Sequence, residues 1–351
     1  MRVEWSEPGP QSRLMRSRPQ PTCYACSGTG ELLYTEQPDR VFSAAGTWSV
    51  RRCRAAECGM LWLDPMPVEE DLPFAYESYY THGEPIRSVR HRIGAMLYRA
   101  ATNTVLSLAG IPQEQKRVSR MFLGQGRGST LLDIGCGAGA FVSRMQARGW
   151  NASGIDVDAA AVAAARSRFG VDVQQGVVTD LVAKGIKFDV VTANHVIEHV
   201  VDPVSFLVQC RKLLRGNGRV ILVTPNAGSL GHRRFGPYWR GLEVPRHLWV
   251  FTPSALRECV RRAGLIDVAL FTSSANAASI IGVSKTIVRH GKFDPQTLSR
   301  GERMTEWVCR PATALHARIQ FLIDRSSGEE VCAVLRPEST ELESSTSSIS
   351  D

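Results

Sequence analysis

Asp133, Gly135, Gly137 and Gly139 stand in the run LLDIGCGAGAF (131–141), where an apolar stretch ends in an acid and glycines follow at alternate positions. Glycine lets a backbone turn sharply and lets a ligand approach with no Cβ in the way. The next apolar stretch, SGIDVD, ends in Asp156, a carboxylate placed to grip both hydroxyls of a ribose. A Gly-rich turn after the first strand of a doubly wound sheet is a nucleoside site. The pattern D-x-G-x-G-x-G departs from the G-x-G-x-x-G that seats a pyrophosphate on a helix N-terminus. Its acid repels a pyrophosphate and suits the ammonium of a methionine moiety. The residues therefore favour S-adenosylmethionine (SAM) over a nicotinamide dinucleotide.

A second group of reactive side chains is Asn194-His195-Val196-Ile197-Glu198-His199. His195, Glu198 and His199 are candidate bases or acceptor ligands, and His195 leads because histidine titrates near neutral pH. H-x-x-E-H is also an inverted zinc-protease motif. That motif needs a helix, and here the residues follow a strand. A plainer reading has Glu198 and His199 orienting the loop and capping the next helix. The run GPYWRGLEVPRHLWVFT (236–252) supplies Tyr238, Trp239, Arg240, Arg246 and His247. Aromatic and basic groups concentrated in one loop suit a polar ring such as a sugar or a phenol. His247 is the second candidate base, and Trp249 reads as packing.

Cys23 and Cys26 form one knuckle, and Cys53 and Cys58 a second, across a β-like stretch. Thiolates at such spacing can meet one tetrahedral Zn2+. So short a segment has little core of its own, and a metal would hold it together. Four thiolates close the coordination sphere, so the expected zinc is structural.

These residues need elements to position them. Strand-like runs at 130–134, 152–156, 171–178, 188–194, 219–224 and 265–272 alternate with helical segments, among them 139–148 and the Ala-rich 159–169. Asp202-Pro203 and Thr252-Pro253 are N-cap and first-turn pairs opening two more helices. The alternation predicts an α/β fold with a parallel, doubly wound sheet. VCAVL (331–335) adds a late seventh strand beyond an insertion, 273–329, in which Leu315, Ile319, Leu322 and Ile323 mark an amphipathic helix with Pro311 near its start. Ile93, Met96, Leu97, Ala100, Ala101, Thr104 and Leu108 follow helical spacing, and Gly110 and Pro112 stop that helix.

Residues 131–272 resemble the class I SAM-dependent methyltransferases of the type 11, 12 and 23 families. The likeness runs through LLDIGCGAGAF, FDVVTANHVIEHVVDP (188–203), LLRGNGRVILVTPN (213–226) and WRGLEVPRHLWVFTPSALRECVRRAGL (239–265). The resemblance implies a seven-stranded Rossmann-like sheet in the order 3-2-1-4-5-7-6, with strand seven antiparallel. It implies SAM contacts from Asp133, Gly135, Gly137 and Asp156, an approach of Asp180 to the adenine, and backbone near Asn194 lining the methionine side. Ubiquinone-type O-methyltransferases associate an E-x-x-E-H stretch with a divalent metal. This chain keeps Glu198-His199 but has His195 at the first Glu. A cysteine ribbon, a D-P-M-P turn (64–67), Tyr76, Tyr79 and Tyr80 and then a SAM domain resembles methyltransferases of sugar and surface-polysaccharide pathways.

The chain has 351 residues, 43% of them hydrophobic, which allows one large domain and one small one. The expected plan is a disordered 1–20, a zinc-ribbon-like module 21–65, a helical connector 66–128, a SAM domain 129–337 with its insertion 273–329, and a disordered tail 338–351. No apolar run approaches a membrane span and the N-terminus lacks a signal-peptide core, which predicts a cytoplasmic protein. The net charge of +8 comes without a dense Lys/Arg run interleaved with aromatics, so nucleic acid is not the expected partner. The expected function is methyl transfer to a small-molecule acceptor, a hydroxyl of a sugar or polysaccharide precursor or related metabolite, weighed against two alternatives. One is a nicotinamide oxidoreductase, disfavoured by the loop. The other is a non-catalytic SAM-fold protein whose ribbon binds nucleic acid or protein; no SAM residue is visibly broken.

Overall fold

The computed structural model describes residues 14–76 and 93–338. Residues 1–13, Tyr79, Tyr80 and the tail beyond 338 lie outside the described residues. The chain opens with β1 (Ser17–Arg18), β2 (Gly30–Pro38), β3 (Thr47–Cys53), β4 (Leu61–Leu63) and β5 (Met66–Pro67), then two helices, α1 (Ile93–Leu108) and α2 (Ile111–Val118). Alternation follows: β6 (Thr130–Ile134), α3 (Ala140–Gln146), β7 (Asn151–Asp156), α4 (Ala159–Phe169), β8 (Val173–Gln175), α5 (Val178–Ala183), β9 (Phe188–Asn194), α6 (Pro203–Lys212) and β10 (Leu214–Pro225). After α7 (Leu230–Phe235) come β11 (Trp249–Val250), α8 (Pro253–Arg262), β12 (Leu265–Ser273), α9 (Ala277–His290), α10 (Arg300–Ile323) and β13 (Glu330–Pro337).

The main sheet has seven strands in the order β12-β13-β10-β9-β6-β7-β8, which is the expected 3-2-1-4-5-7-6 read from the other edge. Only β13 runs antiparallel to its neighbours. Leu131, Leu132, Asp133 and Ile134 of the central strand β6 are all buried, because helices cover both faces. Asp202 and Thr252 cap α6 and α8 by accepting from Ser205 N and Ala255 N at 2.8 Å and 3.1 Å, with proline in each first turn.

The cysteine segment is not an independent bead. Its sheet has the order β11-β4-β3-β2, so a strand from the main domain extends it, with Trp249 opposite Trp62 and Val250 opposite Leu61. Trp48, Met60, Leu61 and Trp62 share one buried cluster with Leu248, Trp249 and Leu256. Burying side chains of this size stabilises each contact by roughly 1.5–3 kcal/mol, which welds the two parts.

Several local expectations change. Residues 14–20 are held rather than disordered: Arg16 pairs with Asp71 at 2.8 Å, and Trp62 Nε1 donates to the Gln20 carbonyl at 2.7 Å. The third strand shrinks from 171–178 to 173–175, since Asp180 accepts from Val177 N at 3.2 Å and starts α5 there. Gly110, at φ 72°, separates two helices, and Pro112 sits in the first turn of α2 rather than beyond a helix end. α10 begins at Arg300 with a Ser299–Glu302 capping box, so Pro311 lies inside it. Ala317 and Phe321 are its buried residues, and Ile319, Leu322 and Ile323 stay exposed.

Candidate functional site

The Gly-rich turn sits at the carboxyl end of β6, as the alternation requires. Gly135, Gly137 and Gly139 have φ of 68°, 51° and 76°, the left-handed region that favours glycine. Their surroundings differ. A Cβ on Gly135 would lie 2.6 Å from Val196, and one on Gly139 would lie 2.7 Å from Ala165, so protein packs against both. Nothing lies within 4 Å of a Cβ placed on Gly137, which leaves that turn open to a ligand. Asp156 accepts from Gly137 N at 2.7 Å and from Asp158 N at 2.9 Å. A carboxylate offers about four lone-pair sites, so capacity for two ribose hydroxyls remains. Asp133 is buried, and burial pushes its carboxyl up to about 7, against a 2.7 Å hydrogen bond from Thr192. A buried acid of this kind is stabilised by a bound cation, which fits the ammonium of a methionine group. Asn194 is exposed at the end of β9, beside this turn. Asp180 is exposed in the first turn of α5, where it caps its own helix.

His195 follows at once, with φ 56°, a strained conformation for a non-glycine residue. Its Nδ1 faces Glu198 Oε1 at 3.1 Å and its Nε2 faces Glu330 Oε1 at 3.1 Å. Burial works against its charge, but hydrogen bonds to Glu198 and Glu330 prevail and push its pKa up to about 10. An imidazolium clamped by two carboxylates has no lone pair to offer, so this geometry favours a base other than His195. Glu198 is fully buried, yet its contact with His195 holds its carboxyl down at about 2, and its other oxygen accepts from Thr224 at 2.9 Å. Both Glu198 oxygens are thus engaged, which suits a residue that orients His195. Residues 197–199 form a turn, not a helix, which removes the protease-like reading.

His247 is different. Its Nδ1–H donates to the Gly241 carbonyl at 2.8 Å, and burial holds its pKa down at about 4. The ring is thus neutral at pH 7, with its Nε2 lone pair free of a proton. His199 Nδ1 donates to the Arg246 carbonyl at 2.9 Å, and the two histidine rings meet edge to face with centroids 4.7 Å apart. Ligand atoms of Glu198, His199 and His247 all lie within 4.8 Å of one another, a donor set that suits a divalent cation.

These groups open onto a cavity of about 390 Å³ at the carboxyl edge of the sheet. His195, with its side chain 37% exposed, forms part of its wall together with Trp239, Arg240, Glu243, His247 and Glu330. Trp239 is buried and its Nε1 donates to Glu329 at 2.9 Å. Burial raises Glu329 to about 7. Arg240 pairs with Glu243. Arg246 is fully buried and does not reach the cavity, unlike its expected place on the acceptor wall. Trp249 is packing, as expected.

Sequence reading missed Glu329, Glu330, Asn276 at the N-cap of α9, and the α9 residues Ser279, Ile280 and Val283 in the wall. One signal was available for the acids. An antiparallel seventh strand starts at the carboxyl edge of its parallel neighbours, so two carboxylates just before VCAVL must arrive at the site.

The four expected zinc ligands converge. Cys23 and Cys58 sulfurs are 3.6 Å apart, Cys26 and Cys53 3.4 Å, and all four lie within 4.8 Å of one another. A tetrahedral centre with Zn–S near 2.3 Å sets its sulfurs roughly 3.8 Å apart, so the set fits one zinc ion. The Cys58 contact lowers the Cys23 thiol pKa, and burial raises that of Cys53.

Residues 111–270 match the type 23 family model for a methyltransferase domain. A ubiquinone biosynthesis O-methyltransferase of Cereibacter sphaeroides is 35% identical over 153 residues, covering 40% of this chain and 62% of that protein. One of Pseudomonas aeruginosa is 40% identical over 106 residues, covering 28% of this chain and 45% of that protein. The chain thus spans about three fifths or less of the length of these curated relatives. A SAM-dependent methyltransferase of Archaeoglobus fulgidus superimposes with a TM-score of 0.43 at 18% identity, over 69% of this chain and 98% of that one.

Proposed function

We propose that this chain, whose residues 111–270 match a methyltransferase-domain model, is a class I SAM-dependent methyltransferase that methylates a hydroxyl of a small polar acceptor such as a sugar, a polysaccharide precursor or a related metabolite. The cavity beside Asn194 and His195 carries this reading: its wall combines a neutral imidazole, a charged imidazole, carboxylates and a tryptophan, groups that hold a polyhydroxylated ring. Relatives named as O-methyltransferases support an oxygen acceptor.

SAM, when bound, supplies an activated sulfonium methyl. Asp133 would hold its ammonium, Asp156 its ribose hydroxyls, and Gly137 would leave room for the chain of the ligand. His247 Nε2 takes the proton of the attacking hydroxyl as its oxygen is methylated. The His195 imidazolium, fixed by Glu198 and Glu330, donates to acceptor oxygens and fixes the ring relative to the methyl. The cysteine module holds one structural Zn2+ on Cys23, Cys26, Cys53 and Cys58. Among the described residues no helix is long and apolar enough to cross a membrane. The proposed location is the cytoplasm. Incubating the enzyme with cell extract and SAM carrying a labelled methyl, followed by mass spectrometry, identifies the acceptor. A labelled metabolite bearing a new O-methyl group is expected. Label found only on nitrogen or on protein contradicts the reading.

A further inference from the structure

Arg246 lies where three parts of the chain meet. Its Nη1 and Nη2 donate to Asp39 Oδ2 and Oδ1, both at 2.9 Å, in a bidentate pair with no exposure on either side chain. Asp39 belongs to the loop between β2 and β3, inside the cysteine module. Arg246 Nη1 also donates to the Ala75 carbonyl at 2.8 Å and Nε to Glu243 at 3.0 Å, while its guanidinium lies 4.4 Å from the centre of the Phe42 ring. Its own carbonyl accepts the hydrogen bond that fixes the His199 ring. The next residue is His247. Asp39 is held in turn, accepting from the backbone of Val41, Phe42 and Ala44 at 2.9, 3.0 and 2.8 Å.

We propose that the cysteine module is a fixed support behind the acceptor wall and that its Asp39 is a positioning residue, setting the His199–His247 pair through Arg246. Two further contacts point the same way. The module's β4 pairs with β11, two residues beyond His247, and Tyr34 of β2 meets His232 Nε2 at 3.0 Å, whose ring stacks near Trp239 of the cavity. A bidentate buried pair fixes both position and direction, which a point charge does not. By contrast, the cofactor turn after β6 receives none of these bonds. Loss of the module's grip therefore disturbs the acceptor wall and spares the SAM half.

The role of this support rests on the acceptor reading of the cavity, but its test needs no acceptor. Full-length protein with 13C-labelled histidine is prepared as wild type, Asp39→Asn and Arg246→Lys, with ring signals assigned through His199→Gln and His247→Gln. SAM alone is titrated by calorimetry. In both Asp39→Asn and Arg246→Lys, the ring signals of His199 and His247 move and the contact between the rings is lost. His290, on α9, keeps its signal, and the Kd for SAM stays within about twofold. Two results overturn the proposal. One is His199 and His247 signals unchanged in Asp39→Asn. The other is SAM affinity falling about tenfold or more in both variants, as it would if the pair merely held the whole chain folded. A wild-type protein that ignores SAM would instead defeat the methyltransferase reading and leave the histidine result to stand by itself.

Discussion

Glu330 accepts a hydrogen bond from His195 Nε2 at 3.1 Å, although 135 residues separate them. The contact exists because β13 is antiparallel and begins where β9 ends. It completes a clamp of two carboxylates on the His195 ring, which favours the imidazolium. Against burial, hydrogen bonds to Glu198 and Glu330 raise the His195 pKa to about 10, from about 6.5 for a free histidine. A raised pKa contributes stability that is complete below pH 6.5 and is lost as pH rises through 10. Melting temperature is thus expected to fall between those limits. Glu330→Gln should flatten that fall and bring the His195 ring titration towards neutrality, which NMR reads directly. A ring that already titrates near 6.5 in the wild type contradicts the clamp.

In the proposed reaction His247 is the base. Removing its imidazole should lower kcat on the true acceptor by roughly 10²–10⁴ with SAM binding intact. His195→Ala should also lower kcat, but without removing the acid limb of the pH–rate profile that reports a base. Turnover that survives His247→Ala at near wild-type rate would move the proton transfer elsewhere.

The open space at Gly137 predicts a separation of binding from folding. Gly137→Ala adds backbone strain of about 1 kcal/mol, and its Cβ has no atom from beyond its chain neighbours within 4 Å. It should leave the chain folded and abolish SAM binding, as should Asp156→Ala. Calorimetry and circular dichroism together check this pair of outcomes. Unchanged affinity in both variants would place the cofactor outside the turn.

Zinc content is expected at one ion per chain, lost in Cys23→Ser/Cys26→Ser. Elemental analysis decides it. Metal retained in that variant would shift attention to Glu198, His199 and His247, whose donor atoms also converge.

The insertion supplies α9 to the cavity wall, so Val283→Trp should block the acceptor and spare SAM. Paired KM measurements for the two substrates distinguish this from general damage, which raises both.

Much of this was readable in the residues. The Gly-rich turn, Asp156 and the two capped helices declared themselves because they rest on local geometry: glycine at positive φ, a proline in a first turn, an acid after an apolar run. The strand order followed from the family pattern. What the sequence hid was set by long-range contact. His195 gave no sign of Glu330. Arg246 looked like a cavity cation because its loop is basic, yet Asp39, 207 residues earlier, buries it. Ile319 and Ile323 were apolar at helical spacing, yet α10 packs through Ala317 and Phe321. Periodicity marks a helix, but tertiary packing chooses its buried face.

The central claim is methyl transfer from SAM to a hydroxyl in the cavity that His195 and His247 share. Labelled-methyl SAM incubated with enzyme and cell extract tests it most directly when run beside the His247→Ala variant. The account predicts one O-methylated, label-bearing metabolite with the wild-type enzyme and at least about a hundredfold less with the variant. No labelled product, with calorimetry showing NADH bound and SAM ignored, would contradict it.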